Sequence, residues 1–151
     1  MTEQELREFI TEAKRVTYAG HGNLAEPSRL KSKDLPYEKG SFKYLDSYVG
    51  ALHFAGEEVV WYEDNPVWAM NYYGTLFGDA PEAFGEFLKS ALRLVTPDTP
   101  YRGPSHYQED EMEFFCSWQG ELTFFSGEEK IFYQGKPIYK LLFHGGRLQN
   151  A

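Results

Sequence analysis

A chain of 151 residues with 23 acidic against 15 basic side chains, net charge −8, repels nucleic-acid phosphates and anionic lipid headgroups at long range, so neither is expected as a partner. Its length suits one domain, residues 1–151, able to bury about two-thirds of the surface of its unfolded chain. The single cysteine, Cys116, has no partner for an internal bridge, no apolar run approaches the ~20 residues of a membrane span, and MTEQELREFI shows no basic-then-apolar leader, so the expected compartment is the reducing cytoplasm.

The first predicted element is a helix. Thr2 and Glu5 have the spacing of a capping box, and Leu6, Phe9, Ile10, Ala13 and Val16 recur on one face. YAGHGN follows as a glycine-marked loop carrying His21. The stretch from 23 to 40 reads as a long connection with Arg29, Lys31, Lys33 and Lys39, a basic concentration in an acidic chain that is either solvated or closes over an anionic group of a ligand. Aromatic and β-branched runs at about 42–48, 51–54, 57–62 and 66–73 read as strands. A second helix is expected from near Pro81, with Asp79 as a cap and Phe84, Phe87, Leu88, Ala91 and Val95 on its apolar stripe, stopping before Pro97. Strands follow at about 112–118, 121–125, 129–134 and 137–144. Asp64-Asn65 and Gly135-Lys136, each ahead of a proline, mark hairpin reversals.

The halves repeat one another. GEEVVWYEDNPVWAMNYYG, 56 to 74, reappears as GEEKIFYQGKPIYKLLFHG, 127 to 145, and upstream FKYLDSYVG faces MEFFCSWQG. EFITEA parallels EFLKSA, and YAG parallels YRG. The fold class expected is α+β, built from internally duplicated helix-plus-antiparallel-meander units in the order α-ββββ-α-ββββ, related by a pseudo-twofold with halves of about 1–78 and 79–151. The exposed face of one unit's sheet is then either covered by the other unit or continued into a longer shared sheet.

Alternate residues of a strand face opposite sides. Trp68, Met70 and Tyr72, with Tyr139, Leu141 and Phe143, form one apolar set and read as core. The opposite set mixes Val67, Ala69, Asn71 and Tyr73 with Ile138, Lys140, Leu142 and His144. A duplicated fold keeps in both copies what folding requires, whereas a site requires its polar groups once. Asp46, matched by Cys116, sits on a strand face with Phe42, Tyr44 and Tyr48; a carboxylate among rings is costly unless hydrogen-bonded, and its pKa rises. It is either an acid/base or ligand anchor, or an aspartate whose side chain caps a bulge or meets a tyrosine hydroxyl. Asn71, matched by Leu142, offers donor and acceptor together, or simply faces water. His144 in FHGG, matched by Tyr73, has no second ligand at metal spacing, so no metal is expected. No cofactor is expected either: G-x-G-x-x-G, G-x-x-x-x-G-K-[ST], H-E-x-x-H and G-x-S-x-G are all absent. Cys116, after Phe114 and Phe115, reads as buried inert packing.

The residues DSYVG, EEVVWY, PVWAMNYYG and FHGG resemble a bacterial and archaeal family of small domains of unknown function, over nearly the whole chain. In some members that look like this one the domain follows a helix-turn-helix DNA-binding segment, which implies a regulatory or ligand-sensing role; no such segment is read here, and the resemblance transfers no catalytic residues. The expected function is a cytosolic small-molecule-binding or sensing domain whose aromatic-lined pocket uses Trp61, Trp68, Tyr72 and Tyr73 for contact area and Asp46, Asn71 and His144 to orient polar atoms. Two alternatives stand beside it: a small hydrolase, lyase or isomerase with Asp46 or His144 as general base, requiring convergence on one cleft, and a protein-interaction module, requiring an exposed apolar patch or a free sheet edge. A homodimer is left open.

Overall fold

The computed structural model describes residues 1–150. Helix α1, Glu3–Val16, opens on the capping box, in which Thr2 accepts from the Glu5 N–H and Glu5 accepts from the Thr2 N–H. Leu6, Phe9, Ile10 and Ala13 are buried, each large side chain contributing about 1.5–3 kcal/mol through loss of apolar surface to water. Val16 departs from the expected stripe and is exposed, because the helix ends there. Helix α2, Phe84–Leu92, begins after the expected start near Pro81; Ala83 occupies its N-cap and Asp79 does not cap it. Phe87, Leu88, Ala91 and Leu92 are buried against the sheet.

Eight strands form one antiparallel sheet: β1 Lys33–Lys39, β2 Phe42–Gly50, β3 His53–Tyr62, β4 Asn65–Leu76, β5 His106–Glu109, β6 Met112–Glu121, β7 Phe124–Tyr133 and β8 Lys136–Arg147. The spatial order is β1-β2-β3-β4-β8-β7-β6-β5, so two four-strand meanders, each preceded by a helix, join antiparallel at β4 and β8. The α+β class and the repeated helix-plus-four-strand order agree with the sequence, and the halves share one long sheet. Both β3 and β7 carry an irregularity at the same repeat position, Val60/Trp61 and Ile131/Phe132.

Four strands per half is the expected number, but two of them are different strands. The runs read as 51–54 and 57–62 are the single strand β3, and those at 121–125 and 129–134 are β7. Gly56 and Gly127, in the gaps between those runs, lie within these strands and clear room for a ring on the next one. A Cβ on Gly56 would lie 2.3 Å from Tyr72 Cζ, and one on Gly127 2.3 Å from Phe143 Cζ. The missing pair are the edge strands β1 and β5. β1 is rich in Lys, Asp and Glu and contains Pro36, a composition that reads as loop but suits an edge with one unpaired side. The hairpin reversals fall one residue earlier than expected: Glu63 and Asp64 have φ 49° and 63°, Gln134 and Gly135 50° and 75°, the left-handed pairs of type I′ turns.

The connection from 23 to 32 is pinned rather than loose. Asp34, buried, accepts from the Ser28 N–H at 3.0 Å, Ser32 Oγ at 2.7 Å and Ser47 Oγ at 2.8 Å. Burial works against its ionisation, but these donors outweigh it and bring the carboxyl down to about 2. Arg29 donates to the backbone and hydroxyl of Ser47, and Lys39 pairs with Glu12, so neither reaches inward for a ligand.

Candidate functional site

Between the helices and the sheet lies a cavity of about 250 Å³. The end of the β2–β3 hairpin supplies Tyr48, Ala51 and Phe54 to it, α2 supplies Phe84 and Leu88, and Tyr18 and Arg102 come from the segments that follow the two helices. Asp46, Tyr72, Tyr139 and Lys33 also line it, with Gly50 and Leu76. A smaller recess beside it shares Tyr18, Asp46 and Arg102 and reaches Lys14 and Glu58.

Strand register explains why charge gathers here. Asp46 of β2 lies opposite Glu58 of β3, which lies opposite Met70 of β4 and so Gly145 of β8. The other half repeats the row as Cys116, Glu129, Leu141 and Gly74. Cross-strand partners share a face, so both glutamates point under the helices. Each is met by a cation from a different element. Lys14, from α1, pairs with Glu58, and both are buried. Arg102 donates to Glu129 through Nε at 2.9 Å and Nη2 at 2.8 Å, while Tyr139 Oη donates to Glu129 Oε1 at 2.7 Å.

Asp46 is the remaining carboxyl. It is 5% exposed and accepts one hydrogen bond, from Tyr72 Oη to Oδ1 at 2.5 Å. Burial and then the negative charge of Glu58 raise its pKa to about 7, against the opposing pull of the Tyr72 hydroxyl, Lys14 and Arg102. Burial draws the Lys14 ammonium below its ordinary value despite Glu58; it also opposes charge on Arg102, but Glu129 outweighs it and holds the guanidinium charged. The Arg102 guanidinium lies 5.4 Å from the Tyr72 ring centroid, so one tyrosine links Arg102 and Asp46. Gly56→Ala is expected to push the Tyr72 ring off this strand, costing about 1–3 kcal/mol by denaturant unfolding and breaking the bond to Asp46. An unchanged stability would mean the ring does not rest on Gly56.

The seven residues expected to form the site separate. Asp46 and Tyr72 are bonded to each other and line the cavity. Trp68 is on the same face but is core: it is 0% exposed, stacks on Phe125 at 5.8 Å and lies beneath the Lys14 ammonium. Asn71, Tyr73 and His144 alternate with the buried Met70, Tyr72 and Phe143 and therefore occupy the opposite face, where Asn71 and His144 are cross-strand neighbours. Trp61 alternates with the buried Val60 and lies on that face too. Cys116 is buried, its thiol pushed up to about 12 first by burial and then by Glu129, as expected for inert packing. His21 is exposed between Glu86 at 3.2 Å and Lys89 at 3.1 Å. Among the described residues no group of His, Cys, Asp and Glu side chains is arranged to hold a metal ion, and no helix is long and apolar enough to cross a membrane.

Sequence reasoning missed Lys14, Glu58, Arg102 and Glu129. The signal for the two cations was present: continuing the helix alignment places Lys14 opposite Leu92, and YAG against YRG places Arg102 opposite Ala19. Both are polar groups present in one half only, outside the strands where alternation separates core from surface. Glu58 and Glu129 are present in both copies, so a filter for asymmetry discards them.

No curated protein and no solved structure matches the chain. A family of domains of unknown function, DUF5680, matches residues 46–148, a span that begins at Asp46, includes Glu58, Tyr72, Arg102 and Glu129, and leaves Lys14 outside. The match covers more than half of the chain, which therefore belongs to the DUF5680 family.

Proposed function

We propose that the protein is a cytosolic domain that binds a small molecule in the cavity beside Asp46. The observation that carries this reading is a carboxyl 5% exposed, with one oxygen bonded to Tyr72, set in the aromatic wall of an open space that packing leaves unfilled. Protein interiors are close-packed, and a space of this size framed by ionised groups costs stability unless it is used. At about 250 Å³ it falls just below the roughly 300–1,000 Å³ of sites for drug-sized ligands, so its ligand is a one- or two-ring compound. The repeated sequence, the matching strand irregularities and the paired glutamates support descent from a duplicated unit, in which Lys14, Asp46 and Arg102 are later departures from symmetry. The resemblance to members fused behind helix-turn-helix segments supports a sensing role, with occupancy of the cavity as the signal.

Ala51 is exposed at the rim, where an indole would enter the cavity without displacing the core. A metabolite screen by thermal shift is expected to find compounds that raise the melting temperature of the wild type and not of Ala51→Trp. Hits that stabilise both equally, or no hits at all, would count against the site.

One observation favours a second reading. An acid or base that titrates near neutrality, held against a tyrosine in a cavity, suits proton transfer in a lyase or isomerase with Asp46 as the base. The version that used His144 has no such support, because that side chain is across the sheet. Turnover of a cavity-binding hit, abolished in Asp46→Asn while binding persists, would favour the enzyme.

A further inference from the structure

Three carboxyls are buried on the helix-covered face, and only two cations accompany them. Lys14 is committed to Glu58, and Arg102 is committed to Glu129 by two hydrogen bonds. Asp46 receives a hydroxyl from Tyr72 at Oδ1, and among the described residues no hydrogen bond reaches its Oδ2, although the residue lines the cavity. A buried carboxylate is stable in the ionised form when a positive charge sits beside it, and the group lacking here is a third cation.

The surrounding rings suit one. Two cavity rings already carry an ammonium: Lys33, itself in the wall, has Nζ 5.6 Å from the Tyr48 centroid, and Lys89, outside the wall, has Nζ 5.1 Å from that of Tyr18. Lys33 is exposed at the rim and is not among the groups whose charge acts on Asp46, so it covers Tyr48 from outside without neutralising Asp46. The net charge of −8 favours encounter with cations at long range.

We propose that the cavity takes a compact arylalkylamine or arylamidine as its cation, with an N–H directed at Asp46 Oδ2 and its ring against Tyr18 and Tyr48, displacing the Lys33 ammonium. The proposal rests on the small-molecule reading of this cavity and narrows it to one charge class. A cation requires ionised Asp46, so its binding tightens as pH rises through about 7 and releases a proton below that point. The groups that face Asp46 are Glu58 from β3, Tyr72 from β4, Lys14 from α1, Tyr18 from the segment after α1 and Arg102 from the segment after α2; burial raises the Tyr18 and Tyr72 hydroxyls and lowers the Lys14 ammonium, while Glu129 holds Arg102 charged.

Three probes of nearly one shape separate the charge classes: benzamidinium, benzamide and benzoate, titrated by calorimetry and by shifts of the tyrosine ring resonances. Benzamidinium is expected to bind at least about tenfold tighter than either of the others. Lys33→Met is expected to tighten its binding, and Asp46→Asn to weaken it at least about tenfold, while both variants keep the wild-type fold by circular dichroism. Preference for benzoate, weakened by Lys33→Met, or for benzamide would overturn the cation and leave a small-molecule site standing. Binding of none of the three also overturns the cation; the small-molecule reading falls with it only if the metabolite screen finds no compound that distinguishes the wild type from Ala51→Trp.

Discussion

Replacing Arg102 by methionine is expected to destabilise the protein by about 3–5 kcal/mol, because Glu129 remains in the interior with no cation beside it. Glu129 is 0% exposed and its other partner is a neutral hydroxyl, that of Tyr139. The loss is a large fraction of the roughly 5–15 kcal/mol that a domain has in total, so the urea midpoint falls sharply and expression of folded protein suffers. Charge rather than side-chain volume is the cause: methionine conserves much of the stem that packs beside Tyr72. The double variant Arg102→Met/Glu129→Leu, made in a Tyr139→Phe background, is therefore expected to recover most of the loss, since no charge is then left unpaired. A single variant as stable as the wild type would mean that Glu129 finds water or another partner.

Asp46 gives the second large effect, and it depends on pH. Its carboxyl passes from 3.8 in the unfolded chain to about 7 in the fold. Between these values the folded state holds more protons than the unfolded state, so stability decreases as pH rises across the interval, and the penalty is complete above about 7. Asp46→Asn keeps an acceptor for Tyr72 and cannot ionise. Its stability relative to the wild type is expected to climb from about pH 4 to about pH 7 and then level off, measured by denaturant unfolding at a series of pH values. Groups that do not interact with Asp46 cancel in that difference. A relative stability that does not vary with pH would show that Asp46 is ionised throughout, and so already accompanied by a cation.

The physics of legibility separates fold from site. Helices α1 and α2 and the central strands carry strong periodic patterns, and Trp68, Met70, Tyr72 and their counterparts Tyr139, Leu141 and Phe143 read as core and are core. Edge strand β1 was illegible because an edge needs no apolar alternation, and β3 reads as two runs with Gly56 between them because only the ring of Tyr72, 16 residues away, shows why a glycine stands inside a strand. The site was half legible. Asp46 was recognisable from the aromatic company on its own strand, a local property. Lys14 and Arg102 reach it through tertiary packing of α1 and the segment after α2, which no strand pattern reveals. Placing Asn71, Tyr73, Trp61 and His144 in one site with Asp46 fails because parity along one strand does not say which face a residue on another strand shares. Register supplies that: Asp46 is level with Glu58 and Met70, whereas Asn71 is level with Glu57 and His144.

A small-molecule site beside Asp46 is tested most directly by mapping where a stabilising compound binds. With Tyr18, Tyr48 and Tyr72 ring resonances assigned, titration of any hit from the metabolite screen is expected to shift those signals in the wild type and to leave them unmoved in Ala51→Trp. Shifts confined to Asn71, Leu142 and His144 on the other face of the sheet, or tyrosine shifts that survive in Ala51→Trp, would contradict it.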